Sequence, residues 1–260
     1  MIVRIGAGAL LAAAIAVLAV RLRLLTRSGA VAAVAVGALC TAAGWSWGTM
    51  LIAFFALTNA LALLGGADKR RRTEGMVAKR GARDAMQVLA NGGPFAAAAT
   101  LWLLHPYMGW RAAGAGALAA AMADSWGTEL GTLERGSPRL ITTGERVLPG
   151  TSGGVTAAGF AGTALGAGAT ALLSIACGWG NRVAVAAAIG GVTGALADSL
   201  VGALWQERRR CESCDSPTEQ RVHFCGVASV RAGGIGWLDN DAVNLGCGLV
   251  GAMAALLLSG

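Results

Sequence analysis

Residues 112–131 read AAGAGALAAAMADSWGTELG, a run of small and apolar residues that ends with two acids, Asp124 and Glu129. Its length is close to the ~20 residues that an α-helix needs to cross the hydrocarbon core of a bilayer. Glycine and alanine are common in membrane-spanning helices because they let neighbouring helices approach closely. We therefore predict that this stretch is a transmembrane helix with acidic groups near one end.

Similar apolar runs occur along the whole chain, at residues 2–20, 29–46, 47–66, 87–104, 155–177, 183–205 and 238–259. Hydrophobic residues make up 55% and charged residues only 13% of the 260 positions, whereas a soluble domain carries about 25% charged residues. Solid apolar runs also differ from the alternating pattern of a membrane β-barrel. The sequence predicts an all-α polytopic membrane protein with about eight transmembrane helices, and residues 1–260 as a single transmembrane domain. The runs that meet at Gly44 could instead form one re-entrant unit.

Basic residues divide the predicted connections between two sides. All but Arg4, Arg111 and Arg182 of the 21 lysines and arginines lie in or next to the loops that follow the first, third, fifth and seventh spans. Because cytoplasmic loops carry the excess of Lys and Arg, we expect both termini outside and these four loops in the cytoplasm. The membrane is then expected to be the inner or plasma membrane of the cell. The acids lie near the same side, so we expect an active cytoplasmic face. The formal net charge of +7 then reflects topology and predicts no nucleic-acid partner.

The acidic end of the fifth span has a second copy in the seventh. Residues 116–125, GALAAAMADS, resemble residues 190–199, GGVTGALADS, and both copies end in Ala-Asp-Ser. Both predicted helices run from outside to inside, which makes this a parallel internal repeat. Chance similarity between Ala/Gly-rich helices is the alternative. An acid inside a span is costly, however, and two at matching places indicate a shared role for Asp124 and Asp198.

Asp124, Glu129 and Asp198 are the predicted catalytic and metal-binding residues. Asp124 and Glu129 are five positions apart and flank one face of a helix. Mg²⁺ binds one or two carboxylates and completes its coordination with substrate phosphates and water, so these acids predict a Mg²⁺ site. Hydrogen bonding between helices is the alternative.

Three more polar segments predict a surface that binds the phosphates of a substrate or nucleotide. The glycine-rich stretch before the sixth span can wrap an anion, and Thr151 and Ser152 are expected to cap that span. Arginines pair with phosphate, and amides and acids enter the fourth and last spans. The predicted residues are Lys79, Arg80, Arg83, Gln87, Asn91, Arg139, Thr143, Arg146, Gly150, Thr151, Ser152, Gly153, Gly154, Asp239, Asn240, Asp241 and Asn244. The alternative for the glycine-rich stretch is a plain turn. The basic residues before the fourth span could instead anchor it on the cytoplasmic side, and the acids before the last span could instead cap that helix.

Residues 206–232 form a predicted cytoplasmic loop between the last two spans. This loop contains Cys211, Cys214, His223 and Cys225, with a spacing close to that of small zinc sites. A structural Zn²⁺ is one interpretation and reduced free thiols are the other, since a disulfide is disfavoured in the cytoplasm.

Several of these motifs together resemble one known family. They are Arg83-Asp84-x-x-Gln87-Val-Leu-Ala-Asn91-Gly, Ala123-Asp124-Ser-x-x-x-Glu129-Leu-Gly, Thr143-Gly-x-x-Val-x-x-Gly150-Thr-x-Gly-Gly, Asp198-Ser199-Leu and Asp239-Asn-Asp-x-Val-Asn244. In this order they resemble the integral membrane family called domain of unknown function 92, which includes plant phytyl-phosphate kinase and the animal transmembrane protein 19. The resemblance implies, from the plant branch, phosphorylation of a prenyl monophosphate to the diphosphate.

A more distant similarity relates the chain to two CTP-using membrane enzymes, dolichol kinase and phosphatidate cytidylyltransferase. Their order of motifs is matched here by Asp124, Gly131, Ser137-Pro138, Thr143 and Gly153-Gly154. Arg146-Val-Leu-Pro-Gly150 stands where those enzymes usually carry Lys-Thr-x-Glu-Gly, so the similarity implies a nucleoside triphosphate donor, either CTP or ATP.

We therefore predict a membrane-embedded, Mg²⁺-dependent kinase that converts an isoprenoid monophosphate to its diphosphate with a nucleoside triphosphate. Phosphoryl transfer needs mainly positioning and charge neutralisation, which acids, arginines and a glycine-rich loop supply. Its partners are a membrane lipid or prenyl phosphate and the nucleotide, and an oligomer is compatible with the sequence. The alternatives are an ion-coupled transporter, a CTP-dependent lipid nucleotidyltransferase and a non-catalytic membrane scaffold.

Overall fold

The computed structural model describes residues 2–63, 73, 75–76 and 81–260. Within these residues the helices are α1 (Ile2–Arg21), α2 (Arg27–Ala43), α3 (Trp45–Ala62), α4 (Ala85–Leu104), α5 (Met108–Gly131), α6 (Ala157–Ala176), α7 (Asn181–Leu204) and α8 (Asn240–Leu258). The strands are β1 (Arg139–Leu140), β2 (Gly154–Val155), β3 (Arg208–Cys211), β4 (Ser216–Thr218) and β5 (Val230–Gly233). Each predicted apolar run corresponds to one helix, so the predicted helical membrane fold is confirmed.

Five of the described helices, α1, α3, α6, α7 and α8, are long and apolar enough to cross a membrane. The other three described helices, α2, α4 and α5, are shorter or more polar. Helix α2 has only 17 residues. Helix α4 contains Gln87 and Asn91, and α5 ends with its two acids. Gly44 alone separates α2 from α3, which are two distinct helices.

Helix α5 lies at the centre of the molecule and packs against α3, α4, α6, α7 and α8. Every residue from Ala112 to Ala123 is buried. Small side chains let the backbones come close: a Cβ added at Gly116 would lie 2.3 Å from the Gly251 carbonyl oxygen, and one at Gly190 would lie 2.5 Å from the same atom. The two copies of the repeat therefore meet α8 at equivalent positions.

An aromatic cluster fills part of the core between the helices. The ring of Trp47 lies 5.0 Å from that of Phe95 and 4.6 Å from that of Trp179, measured between centroids. These three side chains are almost completely buried. They join α3, α4 and the turn between α6 and α7, which fixes the outer helices around α5.

Two small sheets lie outside the helices. Strands β1 and β2 pair antiparallel, with Arg139 opposite Val155 and Leu140 opposite Gly154. Strand β3 lies between β4 and β5 and is antiparallel to both. The second sheet is built from residues of the loop between α7 and α8, so that loop has a structure of its own.

Candidate polar site where five helices meet

A cavity of about 300 Å³ lies where α4, α6 and α8 begin and α5 and α7 end. Both acids of the repeat, Asp124 and Asp198, line this cavity together with Glu129. They meet there because α5 and α7 pack side by side and carry their Ala-Asp-Ser segments toward the same end of the molecule. The two acids that the repeat relates thus line one cavity.

Asp198 has the most demanding environment among these acids. Its Oδ2 atom is buried and has no hydrogen-bond partner among the described residues. Asp124 and Glu219 lie close enough to act on its charge. A buried carboxylate oxygen without a donor is costly, and clustered carboxylates repel one another. A divalent cation would relieve both costs, since carboxylate oxygens are the ligands that Mg²⁺ prefers.

Most of the predicted phosphate-binding residues line the same cavity as the acids. The predicted residues in its walls are Arg83, Gln87, Asn91, Asp124, Glu129, Gly150, Thr151, Ser152, Gly153, Gly154, Asp198, Asn240 and Asn244. Lys79 and Arg80 fall outside the described residues. The chain therefore brings residues from five separate predicted segments to one place.

The glycine-rich loop, residues 150–154, packs directly on the end of α7. Gly153 has a φ angle of +76°, and a Cβ at this position would lie 2.5 Å from the Cβ of Ala203. The Gly153 carbonyl also accepts a hydrogen bond from the Ile141 amide, at 2.9 Å. Only glycine fits both the backbone angle and the space, so the loop is held in one position beside the acids.

The prediction that Thr151 and Ser152 cap the sixth span was wrong. The N-cap of α6 is Thr156, whose side chain accepts a hydrogen bond from the Gly159 amide at 3.0 Å. Strand β2 lies between Ser152 and the start of the helix, so Thr151 and Ser152 are too early in the chain to cap it. They remain in the cavity wall.

Three predicted nucleotide-binding residues lie elsewhere. Arg139, Thr143 and Arg146 are exposed on the β1 hairpin and are not in the cavity wall. Arg139 instead donates a hydrogen bond from Nη1 to the Gly144 carbonyl at 2.8 Å, which holds the hairpin turn. These three side chains are exposed, so proximity in sequence to the glycine-rich loop did not place them in the cavity.

Arg83, Gln87 and Asn91 approach the cavity from the start of α4. The backbone of Arg83 is fixed by hydrogen bonds with Leu24 and Thr26 in the turn between α1 and α2. Burial lowers the pKa of the Arg83 guanidinium, because desolvation disfavours its charge. An anion in the cavity would offset that cost. Gln87 and Asp84 form a capping box at the helix start, which explains part of the polar character of this segment.

The last helix contributes its first turn to the site. Asn240 and Asn244 are one turn apart on α8, and both line the cavity. Asp239 is the N-cap, accepting a hydrogen bond from the Ala242 amide at 3.2 Å, and Asp241 is buried away from the cavity wall. The alternative of helix capping is therefore correct for Asp239.

Glu219 is a cavity residue that the sequence did not single out. It follows β4, and its carboxylate accepts hydrogen bonds from the Ser152 amide and from Gln206 Nε2, both at 3.1 Å. Burial raises the pKa of the Glu219 carboxyl, while the hydrogen bonds from Ser152 and Gln206 lower it. In sequence it is one of several acids in a charged loop, and no spacing distinguishes it from the others.

A second, apolar pocket of about 120 Å³ lies among α1, α2, α3 and α4. Side chains such as Leu11, Ile15, Val36 and Phe55 line it. Four residues are shared between the walls of this pocket and those of the polar cavity: Arg83, Gln87, Asn91 and Ser125. The apolar pocket and the acid-lined cavity therefore share a wall made of these four polar residues.

Comparison with known proteins identifies the family. The family described as integral membrane protein DUF92 matches residues 10–252. The chain belongs to the DUF92 family. It is 32% identical over 248 residues to Protein PGR of Arabidopsis thaliana, an alignment that covers 84% of this chain and 83% of the plant protein. It is 33% identical over 141 residues to an uncharacterized membrane protein of Methanocaldococcus jannaschii, covering 54% of this chain and 48% of that protein. No solved structure matches.

The matched region of this DUF92 protein includes every cavity residue named above and the four predicted zinc ligands. Cys211, Cys214, His223 and Cys225 lie together, with one donor atom from each within 4.8 Å of the others. The hydrogen bond with His223 lowers the pKa of the Cys225 thiol to about 6. The hydrogen bond with Cys225 raises the pKa of Cys214 to about 11. The cluster therefore favours a thiolate at Cys225.

Proposed function

We propose that this DUF92 protein is a membrane-embedded kinase that phosphorylates an isoprenoid monophosphate to its diphosphate, with CTP or ATP as donor. The observation that carries this proposal is the boundary between the two cavities. An isoprenoid phosphate has a long apolar chain and one anionic end. The apolar pocket suits the chain, while Arg83, Gln87 and Asn91 at the boundary suit the phosphate.

The acids of the polar cavity fit a bound Mg²⁺. Asp124, Glu129 and Asp198 supply carboxylate oxygens, and the buried Oδ2 of Asp198 has no other partner among the described residues. When bound, Mg²⁺ would neutralise the charge of the donor phosphates. The glycine-rich loop, held against α7 through Gly153, lies in the cavity wall beside these acids.

The reaction needs no separate base, because the acceptor phosphate is already an anion. An acceptor oxygen would attack the γ-phosphorus of the donor, and the bond from that phosphorus to its bridging oxygen would break. The nucleoside diphosphate leaves with the electron pair of that bond. The protein then has to orient two anions and offset their repulsion, which is the role we assign to Arg83, Asn240 and Asn244.

The location of the acidic residues at one end of the helices favours an enzyme over an ion-coupled transporter. A transport path needs polar groups across the bilayer. Beyond Asp124, the buried part of α5 from Ala112 to Ala123 is entirely apolar, and it packs tightly against α7 and α8. The carboxylates are thus confined to one end of the bundle.

The proposal is tested with the purified protein, Mg²⁺, each nucleoside triphosphate and a series of prenyl monophosphates. We expect prenyl diphosphate and nucleoside diphosphate as products. Release of pyrophosphate would instead indicate a nucleotidyltransferase, and substrate uptake into liposomes without turnover would indicate a transporter. Absence of both turnover and nucleotide binding would favour a scaffold.

Asp198→Asn provides the sharpest variant. Because the substitution removes the charge but keeps the shape, we expect turnover to fall by about 100-fold or more while the thermal unfolding temperature is unchanged or higher. Glu145→Gln, at an exposed hairpin position outside the cavity wall, is the matched control and should keep full activity. Full activity of Asp198→Asn would overturn the assignment of the cation site.

A further inference from the structure

The loop between α7 and α8 contains a second group of metal ligands, away from the acid-lined cavity. We call Cys211, Cys214, His223 and Cys225 the Cys/His cluster. Cys211 ends β3, Cys214 follows in the turn to β4, and His223 and Cys225 lie between β4 and β5. The Sγ atoms of Cys211 and Cys225 are 3.6 Å apart, and His223 Nδ1 is 3.3 Å from Cys225 Sγ.

The 3.6 Å separation of the two sulfur atoms is that of an edge of a tetrahedral metal site, and the 3.3 Å separation of nitrogen and sulfur is slightly shorter than such an edge. With Zn–S bonds of about 2.3 Å and Zn–N bonds of about 2.0 Å, ligand atoms in a tetrahedron are roughly 3.5–3.8 Å apart. A disulfide needs about 2.05 Å between its sulfur atoms, so the separation of Cys211 and Cys225 is too long for one. Three thiolates and one imidazole are a ligand set that selects Zn²⁺ over the hard cations Mg²⁺ and Ca²⁺.

We infer that the Cys/His cluster binds a structural Zn²⁺ and that this ion holds Glu219 in the polar cavity. Strands β3, β4 and β5 have only four, three and four residues, too few to bury a core of their own. Small units of this kind are stabilised by a metal or by cross-links. Within this sheet region, Cys211 and His223 are almost completely buried, while Cys214 and Cys225 are exposed, so the proposed metal would lie at the edge of the sheet.

Glu219 lies between the metal ligands in the sequence, so a bound metal would restrict the position of this cavity residue. Two ligands precede Glu219, at Cys211 and Cys214, and two follow it, at His223 and Cys225. A bound ion therefore closes a loop with Glu219 inside it. The Glu219 backbone amide also donates to the Met76 carbonyl at 2.9 Å, while its carboxylate contacts Ser152 and Gln206. Fixing the ends of this segment fixes the carboxylate, so Glu219 is a positioning residue for the glycine-rich loop.

The first test measures metal content and does not depend on the proposed kinase activity. We expect the full chain, purified without added metal, to contain about one zinc ion per molecule when measured by elemental mass spectrometry. Cys211→Ser and Cys214→Ser should lose most of it, whereas Cys177→Ser, a cysteine at the end of α6, should keep it. Replacement by Co²⁺ should give the visible absorption of a tetrahedral thiolate site. A chain without zinc, or equal loss in Cys177→Ser, would overturn the site.

A second test uses the wild-type protein, so it does not depend on whether the cysteine variants fold. Wild-type protein treated with a chelator should expose three additional thiols to alkylation, and Zn²⁺ should protect them again. Amide hydrogen exchange in residues 216–225 should rise by roughly tenfold or more on zinc removal, with α5 and α7 unchanged. Alkylation that is equal with and without Zn²⁺ would overturn the metal site. Unchanged exchange around Glu219, with zinc removed, would overturn the link to the cavity.

Discussion

Glu219 and Asp198 reach the same cavity from different parts of the chain. Asp198 belongs to a buried helix, and Glu219 belongs to a short loop that follows β4. Glu219 accepts hydrogen bonds from the Ser152 amide and from Gln206, so it connects the glycine-rich loop to the Cys/His segment. A single side chain thus joins two regions that are 67 residues apart.

We expect Glu219→Ala to destabilise the protein by about 1–3 kcal/mol, because the Ser152 amide would lose its acceptor in a partly buried position. Glu219→Gln keeps an oxygen that can accept this bond and should recover most of the loss. Thermal or denaturant unfolding in detergent measures both effects. Glu212→Ala, an exposed acid of the same loop, is the control and should change stability by less than about 0.5 kcal/mol. If Glu219→Ala behaves like Glu212→Ala, the anchoring role is wrong.

The residues whose relative positions the sequence could predict are those on helices. The repeat fixed equivalent positions for Asp124 and Asp198, and helical spacing of four related Asn240 to Asn244. All four line the cavity. Arg139 was placed in the site and is not there, whereas Glu219 was overlooked and lines the cavity. Arg139 lies on a two-residue strand and Glu219 on a loop, where the direction of a side chain depends on its hydrogen bonds and not on a period.

At the scale of elements, glycine determines how closely α5, α7 and α8 approach. A Cβ added at Gly251 of α8 would lie 2.6 Å from the Cβ of Ala120 and 2.6 Å from the Gly116 carbonyl oxygen. Gly246 lies one to two turns earlier on the same helix, and no atom of the described residues lies within 4 Å of a Cβ added there. The two glycines therefore form a matched pair on a single helix.

Gly251→Ala should destabilise the protein by about 1–3 kcal/mol, since the added methyl group forces α8 away from α5 and α7. Gly246→Ala should be neutral or stabilising by up to about 1 kcal/mol, because alanine restricts the unfolded chain and favours a helix. Comparison of the two unfolding temperatures in the same detergent checks this. Equal effects of the two substitutions would mean that the close approach of the helices does not limit stability.

The helices were predictable because each presents a long apolar run, whereas the strands were not. Strands β1 and β2 have two residues each, too short for any alternating pattern to be recognised. The chain between α5 and α6 first turns back at Gly144, where φ is +73°, which places Arg146 opposite Arg139, and it later returns to pair β2 with β1. The helix cap at Thr156 follows from the same geometry, since β2 uses the residues immediately before it.

At the scale of the whole molecule, the polar cavity and the apolar pocket divide the helices into two groups. Helices α1, α2 and α3 mainly line the apolar pocket, while α5 to α8 mainly line the acid-lined cavity. Helix α4 contributes to both, as do Thr58 of α3, in the wall of the polar cavity, and Ser125 of α5, in the walls of both. The sequence indicated acids at one end of the spans but not the pocket, because hydropathy does not state which helices are neighbours. The orientation of this end toward the cytoplasm remains a prediction from the distribution of basic residues.

The apolar pocket leads to a prediction about the length of the substrate chain. Ala33 of α2 lines the pocket, so Ala33→Phe should fill part of it and exclude longer chains. We expect kcat/KM for the longest accepted prenyl monophosphate to fall by about tenfold or more relative to the shortest, the scale on which apolar pockets discriminate by size. Ala35→Phe places the same ring on the exposed face of the same helix and should leave the ratio unchanged. An equal ratio in both variants would show that the chain binds elsewhere, even if the acid-lined cavity is the site of phosphoryl transfer.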